Sequence, residues 1–322
     1  MKKYKAAILN ITGEKNIKYV FSPEQLAELE KITILKEGIH TLNSVEKGVL
    51  QDTEVIFSTW GMPNLQEEHF RKMPELKAVF YAAGATEGFA PNCFAHNVRV
   101  FSAWQANAIP VAEFCLGQIL LALKGYFRYL RELKGPENFN NNYAGRGVYG
   151  ETVALIGSGA VSTKLQELLK AFHLNILVVP SKKEDRGELL KEAFAKGMVI
   201  SNHLPDREED AGVLDASLFR SMREGAVFIN TGRGRQVVEK DLIGVLEERK
   251  DLTALLDVTF PEPPEKGSPL YTMENILLSP HIAGSLNDEV HRMADYMLEE
   301  YKRFASDEKL LYEVLPEMLL NA

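Results

Sequence analysis

The sequence predicts an α/β protein with two parallel sheets, and three observations carry that reading. Short apolar runs rich in β-branched residues alternate with segments of helical periodicity, as strand–crossover–strand units require. The runs fall into two series, separated by an apolar stretch that begins near Asn107. The chain has 322 residues, enough for two domains with cores of their own.

The first series of strands is expected at residues 6–11, 55–58, 78–82 and 98–102. The second is expected at 153–156, 176–179, 199–203, 226–230, 254–258 and 276–279. Continuous apolar runs of this kind suit strands covered on both faces. Helical spacing is clearest at 23–31, 164–172 and 239–248. Between the two series, Asn107 reads as a helix cap. Val111, Phe114, Cys115, Leu116, Ile119, Leu120 and Leu123 then occupy most of the circumference of a helix. A helix apolar nearly all round is buried, either between domains or between subunits. The Gly/Asn-rich residues 135–150, with their Asn140–Asn142 run, read as a loop. Further on, Ser285 and Asp288 form a capping-box pattern. Val290, Met293, Ala294, Met297, Leu298 and Tyr301 follow at helical spacing.

Composition narrows the function. Thirty-seven Lys and Arg against 45 Asp and Glu give a formal charge of −8, with no basic block. That balance argues against a nucleic-acid or membrane-surface partner. Two cysteines, Cys93 and Cys115, are too few for a disulfide scaffold or a thiolate metal site, so no metal is expected and a cytoplasmic setting fits. The N-terminal apolar run is too short for a signal peptide, and residues 111–123 are too short to span a bilayer.

One strand runs straight into Gly157-Ser-Gly-Ala-Val-Ser162, and a helical pattern follows. In such a turn the first glycine makes the bend and the second lets backbone N–H groups reach a pyrophosphate, here across Ser158, Gly159, Ala160 and Val161. The helix N-terminus adds partial positive charge. The next strand should end in an acid that holds the ribose hydroxyls, but it reads Val179-Pro-Ser-Lys-Lys183. Ser181 and Lys182 could instead receive a 2′-phosphate, which tilts the reading toward NADP and leaves NAD open.

Three polar residues follow three successive strands. Arg233 lies between two glycines in Asn230-Thr-Gly-Arg-Gly234 and could hold a carboxylate bidentately. Glu262 is flanked by Pro261 and Pro263, which stiffen its backbone. His281 stands in Ser279-Pro-His-Ile-Ala-Gly284. A carboxylate beside an imidazole orients the ring and keeps it useful as both acid and base near neutral pH.

With these motifs in this order, the sequence resembles the D-isomer-specific 2-hydroxyacid dehydrogenases over nearly its whole length. The resemblance implies two Rossmann-like domains, one flavodoxin-like and one NAD(P)-binding. The substrate domain would comprise residues 1–101 plus 289–322, and the dinucleotide domain residues 102–288. It implies that Arg233 binds the substrate carboxylate and carbonyl, that Glu262 partners the base, and that His281 shuttles the proton. Thr231 and Asp257 would contact the nicotinamide end of the cofactor, and Leu204 and Pro205 its adenosine side. Backbone N–H groups of Ala83 and Gly84 would hold the substrate carboxylate, although the usual Gly-x-Gly-x-Asp pattern is absent from residues 81–88. Asp210 stands where many members carry a threonine near the cofactor phosphates, so it must point away or be offset. Trp60 and Trp104 depart from the commonest members on the substrate side. The reaction implied is hydride transfer between a nicotinamide cofactor and a small 2-oxo or 2-hydroxy acid, such as glyoxylate or hydroxypyruvate. The apolar linking helix implies a homodimer. The competing reading is a nucleotide-sensing, corepressor-like regulator on the same fold with little turnover.

Overall fold

A computed structural model describes residues 1–139, 145–181 and 184–320. The chain divides into two compact units, Met1–Asn107 with Ser285–Ala322, and Ala108–Gly284.

In the first unit the strands are β1 (Lys5–Leu9), β2 (Ile34–His40), β3 (Val55–Ser58), β4 (Ala78–Tyr81) and β5 (Arg99–Ser102), joined by the chain's last strand, β12 (Glu313–Val314). The sheet order is β12-β5-β4-β3-β1-β2, all parallel except β12. Register explains much of the core. Phe57, Phe80 and Phe101 are matched across β3, β4 and β5, so their rings stack at 5.1 and 4.8 Å. Tyr301, from the helix His291–Ala305, meets Phe57 and Phe80 edge-on at 5.4 and 5.5 Å. Such pairs contribute about 0.5–1.5 kcal/mol each beyond the area they bury. That helix buries Met293, Ala294, Met297, Leu298 and Tyr301, the face read from the sequence.

The second unit carries β6 (Glu151–Ile156), β7 (Leu174–Val179), β8 (Val199–Asn202), β9 (Val227–Asn230), β10 (Thr253–Leu256) and β11 (Ile276–Leu278). Its order is β11-β10-β9-β8-β6-β7, and every pair is parallel. Both faces are covered, which is why the runs are continuously apolar. Ala154, Ile156, Phe228 and Leu256 belong to one core cluster. The intervening Val153, Leu155, Ile229 and Leu255 belong to another. The order reverses between β6 and β8, and ligands of open parallel sheets bind beyond the strand ends at such a reversal.

Four local expectations are corrected. Asn107 does not cap the linking helix, which starts earlier and runs Trp104–Leu123; its Oδ1 instead accepts the Ser285 N–H at 3.1 Å. Ser285 and Asp288 form no capping box. Leu286 precedes the turn Asn287–Val290, and its N–H donates to Glu289 Oε2 at 3.0 Å. The linking helix, expected over residues 111–123 as too short to cross a membrane, has 20 residues and is long and apolar enough to do so by length and composition. Half of it is buried, and Val111, Ala112, Cys115, Ile119 and Leu123 pack into the second unit's core. Finally, β2 and β12 carry no apolar run and were not anticipated.

Candidate active site

The Gly157 turn follows β6 at the strand-order reversal. Gly157 has φ of 105°, a left-handed conformation that favours glycine, and an added Cβ would lie 2.7 Å from the His203 carbonyl oxygen. This close approach sets β6's exit against the segment that follows β8. Gly159 precedes the helix Ala160–Leu169 and supplies no side-chain cap. An added Cβ there would meet nothing within 4 Å. The turn therefore presents uncapped first-turn N–H groups, through Ser158, Gly159, Ala160 and Val161, to open space. That arrangement fits the pyrophosphate of a dinucleotide.

Around this turn the expected cofactor residues fall as follows. Leu204 is buried and Pro205 half-buried. Thr231 Oγ1 lies 3.1 Å from His203 Nδ1 and 3.4 Å from Cys115 Sγ. Ser181 is half-buried just past β7, and Lys182 lies outside the described residues. Asp210 is fully buried with Arg186 Nη1 2.6 Å from its Oδ1, so its charge is met within the protein. Burial pushes His203 down to about 4, so its imidazole is neutral at pH 7.

Asp257, expected at the nicotinamide end, is held by its own turn. Its side chain is buried, and both carboxylate oxygens are spent on the turn after β11. Oδ1 accepts from Ser279 Oγ at 2.5 Å and from Ile282 N at 2.9 Å, while Oδ2 accepts from Ala283 N at 2.9 Å. The Asp257 carbonyl also accepts the His281 N–H at 3.0 Å. His281 has φ of 55°, an unusual conformation for a residue with a Cβ. A backbone of this kind costs about 1–3 kcal/mol and persists where its surroundings over-determine it. Here the four bonds to Asp257 do so, and they fix where the imidazole emerges.

The imidazole meets its expected partner: His281 Nδ1 is 2.6 Å from Glu262 Oε1, with both side chains about half exposed. The other carboxylate oxygen of Glu262 accepts the Thr259 N–H at 3.4 Å, and Thr259 Oγ1 donates to the Pro261 carbonyl at 2.9 Å. With Nδ1 committed to Glu262, Nε2 is the ring nitrogen left for proton exchange.

Arg233 stands at the end of β9. Its Nη1 donates to the Gly232 carbonyl at 2.9 Å, and its Nε lies 3.8 Å from Asp206 Oδ2. Arg235 holds the same carboxylate more closely, at 2.5 Å. The glycines beside Arg233 are required by space. A Cβ on Gly232 would lie 2.8 Å from Asn202 Nδ2 and Gln236 Oε1, and one on Gly234 would lie 2.0 Å from Thr259 C and O. The arginine segment is thus packed directly on the segment that positions Glu262.

In the first unit, Ala83 is buried and its N–H donates to the Tyr81 carbonyl at 2.8 Å. Of the two expected backbone donors this leaves Gly84, whose carbonyl accepts from Ser102 Oγ at 2.8 Å. Trp60 stacks on Tyr19 at 6.4 Å, and its carbonyl accepts from Asn10 Nδ2 at 2.9 Å and Asn16 Nδ2 at 2.6 Å. Trp104 meets Tyr312 edge-on. Among the described residues no group of three or more His, Cys, Asp or Glu is arranged to hold a metal.

Residues 116–283 match the D-isomer specific 2-hydroxyacid dehydrogenase, NAD binding domain. The chain belongs to this family. YoaD of Bacillus subtilis is 33% identical over 233 residues, 67% of this chain and 67% of its own. A glyoxylate reductase of Korarchaeum cryptofilum is 27% identical over 285 residues, 84% of each chain. Against three of the curated relatives, the chain spans 67%, 56% and 38% of their length. A phosphoglycerate oxidoreductase from Rhizobium etli shares the fold with a TM-score of 0.80 at 21% identity, over 98% of this chain and all of that one. The family's nicotinamide domain thus falls on the unit that holds the Gly157 turn, Arg233, Glu262 and His281.

The sequence reading missed Asn202 and Gln236, both fully buried. Neither lies in a recognisable motif, and only their polarity within apolar surroundings marks them.

Proposed function

We propose that the protein is an oxidoreductase that interconverts a small 2-oxo acid and its D-2-hydroxy acid. The observation that carries the reading is the 2.6 Å contact between His281 and Glu262, in the same unit as a turn suited to a dinucleotide. Bound nicotinamide would supply or accept the hydride. Arg233 holds the carboxylate of the acid and stabilises negative charge that develops on the carbonyl oxygen. His281, as imidazolium, gives its Nε2 proton to that oxygen during reduction and takes it back during oxidation. Glu262 stabilises the imidazolium through Nδ1, and the Asp257 bonds keep the ring in place. The Gly84 N–H is a further candidate for the substrate carboxylate. Glyoxylate and hydroxypyruvate are the first acids to test.

For the cofactor, no acid occurs between the end of β7 and Glu184, which supports room for a 2′-phosphate and a tilt toward NADP. We also propose a homodimer in the cytoplasm. Leu121, Tyr126, Leu130, Leu133 and Phe139 are exposed apolar residues along one stretch of chain, which supports self-association there. Sedimentation would show a monomer if this is wrong.

The deciding assay is a panel of 2-oxo acids with NADH and with NADPH, followed by absorbance. Turnover is expected with at least one acid. His281→Ala should lower kcat by about 10²–10⁴-fold with cofactor affinity nearly unchanged. Tight dinucleotide binding without turnover of any acid would replace this reading with the regulatory one.

A further inference from the structure

We infer that Gln236 is a positioning residue that ties the arginine of the site to the loop beside the cofactor turn. The inference rests on the reading of Arg233 as the substrate-anion anchor.

Gln236 is fully buried, and its carboxamide makes four hydrogen bonds. Oε1 accepts from Arg233 N at 3.0 Å and from Asn202 Nδ2 at 2.7 Å. Nε2 donates to the carbonyls of Leu204 at 3.0 Å and Pro205 at 2.6 Å. Both donor hydrogens and both acceptor positions of the amide are used. Asn202 completes the bridge. Its Nδ2 also donates to Asn230 Oδ1 at 2.9 Å, while its Oδ1 accepts from Leu204 N at 3.3 Å. Asn230 Nδ2 in turn donates to the Arg233 carbonyl at 3.3 Å. The Arg233 peptide groups are therefore held on one side by Gln236 and on the other by Asn230.

A buried amide is costly unless every group is paired, and an apolar side chain of similar size would fill this space without that requirement. What the carboxamide adds is a connection. Leu204 and Pro205 directly follow His203, whose carbonyl abuts Gly157 in the cofactor turn. One side chain thus links the segment against that turn to the backbone of Arg233. Binding at either end bears on the same network, so the two binding events are coupled, and the coupling is reciprocal.

The test compares Gln236→Leu, Gln236→Glu, Arg233→Ala and the Arg233→Ala/Gln236→Leu double variant in the full chain. Glyoxylate serves as the 2-oxo acid, oxamate as a non-reacting analogue, and NADH and NADPH as cofactors. Gln236→Leu should raise the KM for glyoxylate and the Kd for oxamate about tenfold, with a smaller change in kcat, and should weaken cofactor binding severalfold. Gln236→Glu keeps an acceptor for the Arg233 N–H and loses the donors to Leu204 and Pro205. It should therefore restore much of the oxamate affinity while leaving cofactor binding weak, and it serves if the leucine variant does not fold. On the Arg233→Ala background, Gln236→Leu should add nothing to the loss of oxamate binding yet still weaken the cofactor. Additive losses in the double variant, or equal oxamate losses for the leucine and glutamate variants, would overturn the inference. Unchanged oxamate binding in Arg233→Ala would remove the reading of Arg233 and this inference with it. A normal Arg233→Ala loss with unchanged Gln236→Leu would remove this inference alone.

Discussion

Gly234→Ala tests the packing of the site directly. A Cβ at this position would lie 2.0 Å from both the carbonyl carbon and oxygen of Thr259 and 2.6 Å from the Phe260 nitrogen. Ordinary contact begins near 3.4 Å, so the two segments must part by about 1.4 Å. The obstructing atoms are backbone, and no side-chain rotation relieves them. Overpacking of this kind costs about 1–3 kcal/mol, or a fall in Tm of about 2–4 °C per kcal/mol for a unit of this size. Its larger effect is on geometry. Thr259 donates its N–H to Glu262, so moving it carries the Glu262–His281 pair away from Arg233. A misplacement of about 1 Å can cost about 10²-fold in rate. The expected result is a kcat/KM for glyoxylate lowered about 10²-fold, with cofactor Kd raised at most severalfold, because the segment against the Gly157 turn is reached only through Gln236. Steady-state kinetics, fluorescence titration with NADH and NADPH, and calorimetry read the three quantities. A kcat/KM within threefold of the parent protein, at unchanged Tm, would show that this contact does not set the position of the pair.

Gly159→Ala probes the opposite case. The new methyl meets no protein atom within 4 Å, so Tm should hold or rise slightly, while cofactor Kd rises tenfold or more because the methyl occupies the approach to the uncapped N–H groups. An unchanged Kd would place the pyrophosphate elsewhere. For acid stability, His203 is depressed to about 4 by burial, from an ordinary 6.5. Below pH 6.5 the unfolded chain takes up a proton that the folded chain refuses until about pH 4. The stability contributed above pH 6.5 is therefore lost as pH falls through that window, by about 3 kcal/mol at most. Urea unfolding of the parent and of His203→Asn at pH 7, 5.5 and 4.5 should show a shallower decline in the variant; parallel declines would refute the assignment.

What the sequence made legible follows from burial. All ten strands expected from apolar runs occur, because each lies within a sheet covered on both faces. The edge strands β7 and β11 were legible from their apolar runs, whereas β2 escaped because Lys36, Glu37 and Gly38 interrupt Ile34–His40, which is largely exposed. β12 is two residues long and offers no periodicity at all. Asn107 misled because its side chain is spent on Ser285, a partner 178 residues away. In the candidate site, the His281–Glu262 contact was legible because each residue follows a strand in a distinctive motif. Asp257 was visible too, but its three carboxylate bonds are a matter of three-dimensional closure that spacing does not encode. The same holds for Gln236, three of whose four partners lie on the segment 202–205, some thirty residues before it.

Arg233, Glu262 and His281 all hang from β9, β10 and β11, three neighbouring strands of one unit drawn from a continuous stretch of chain. The His281–Glu262 contact and Arg233 therefore form within a single unit. Loops such as those around Trp60 and Gly84 belong to the other unit and can diversify without disturbing them. On such a plan, a change confined to the other unit leaves the His281–Glu262 contact in place.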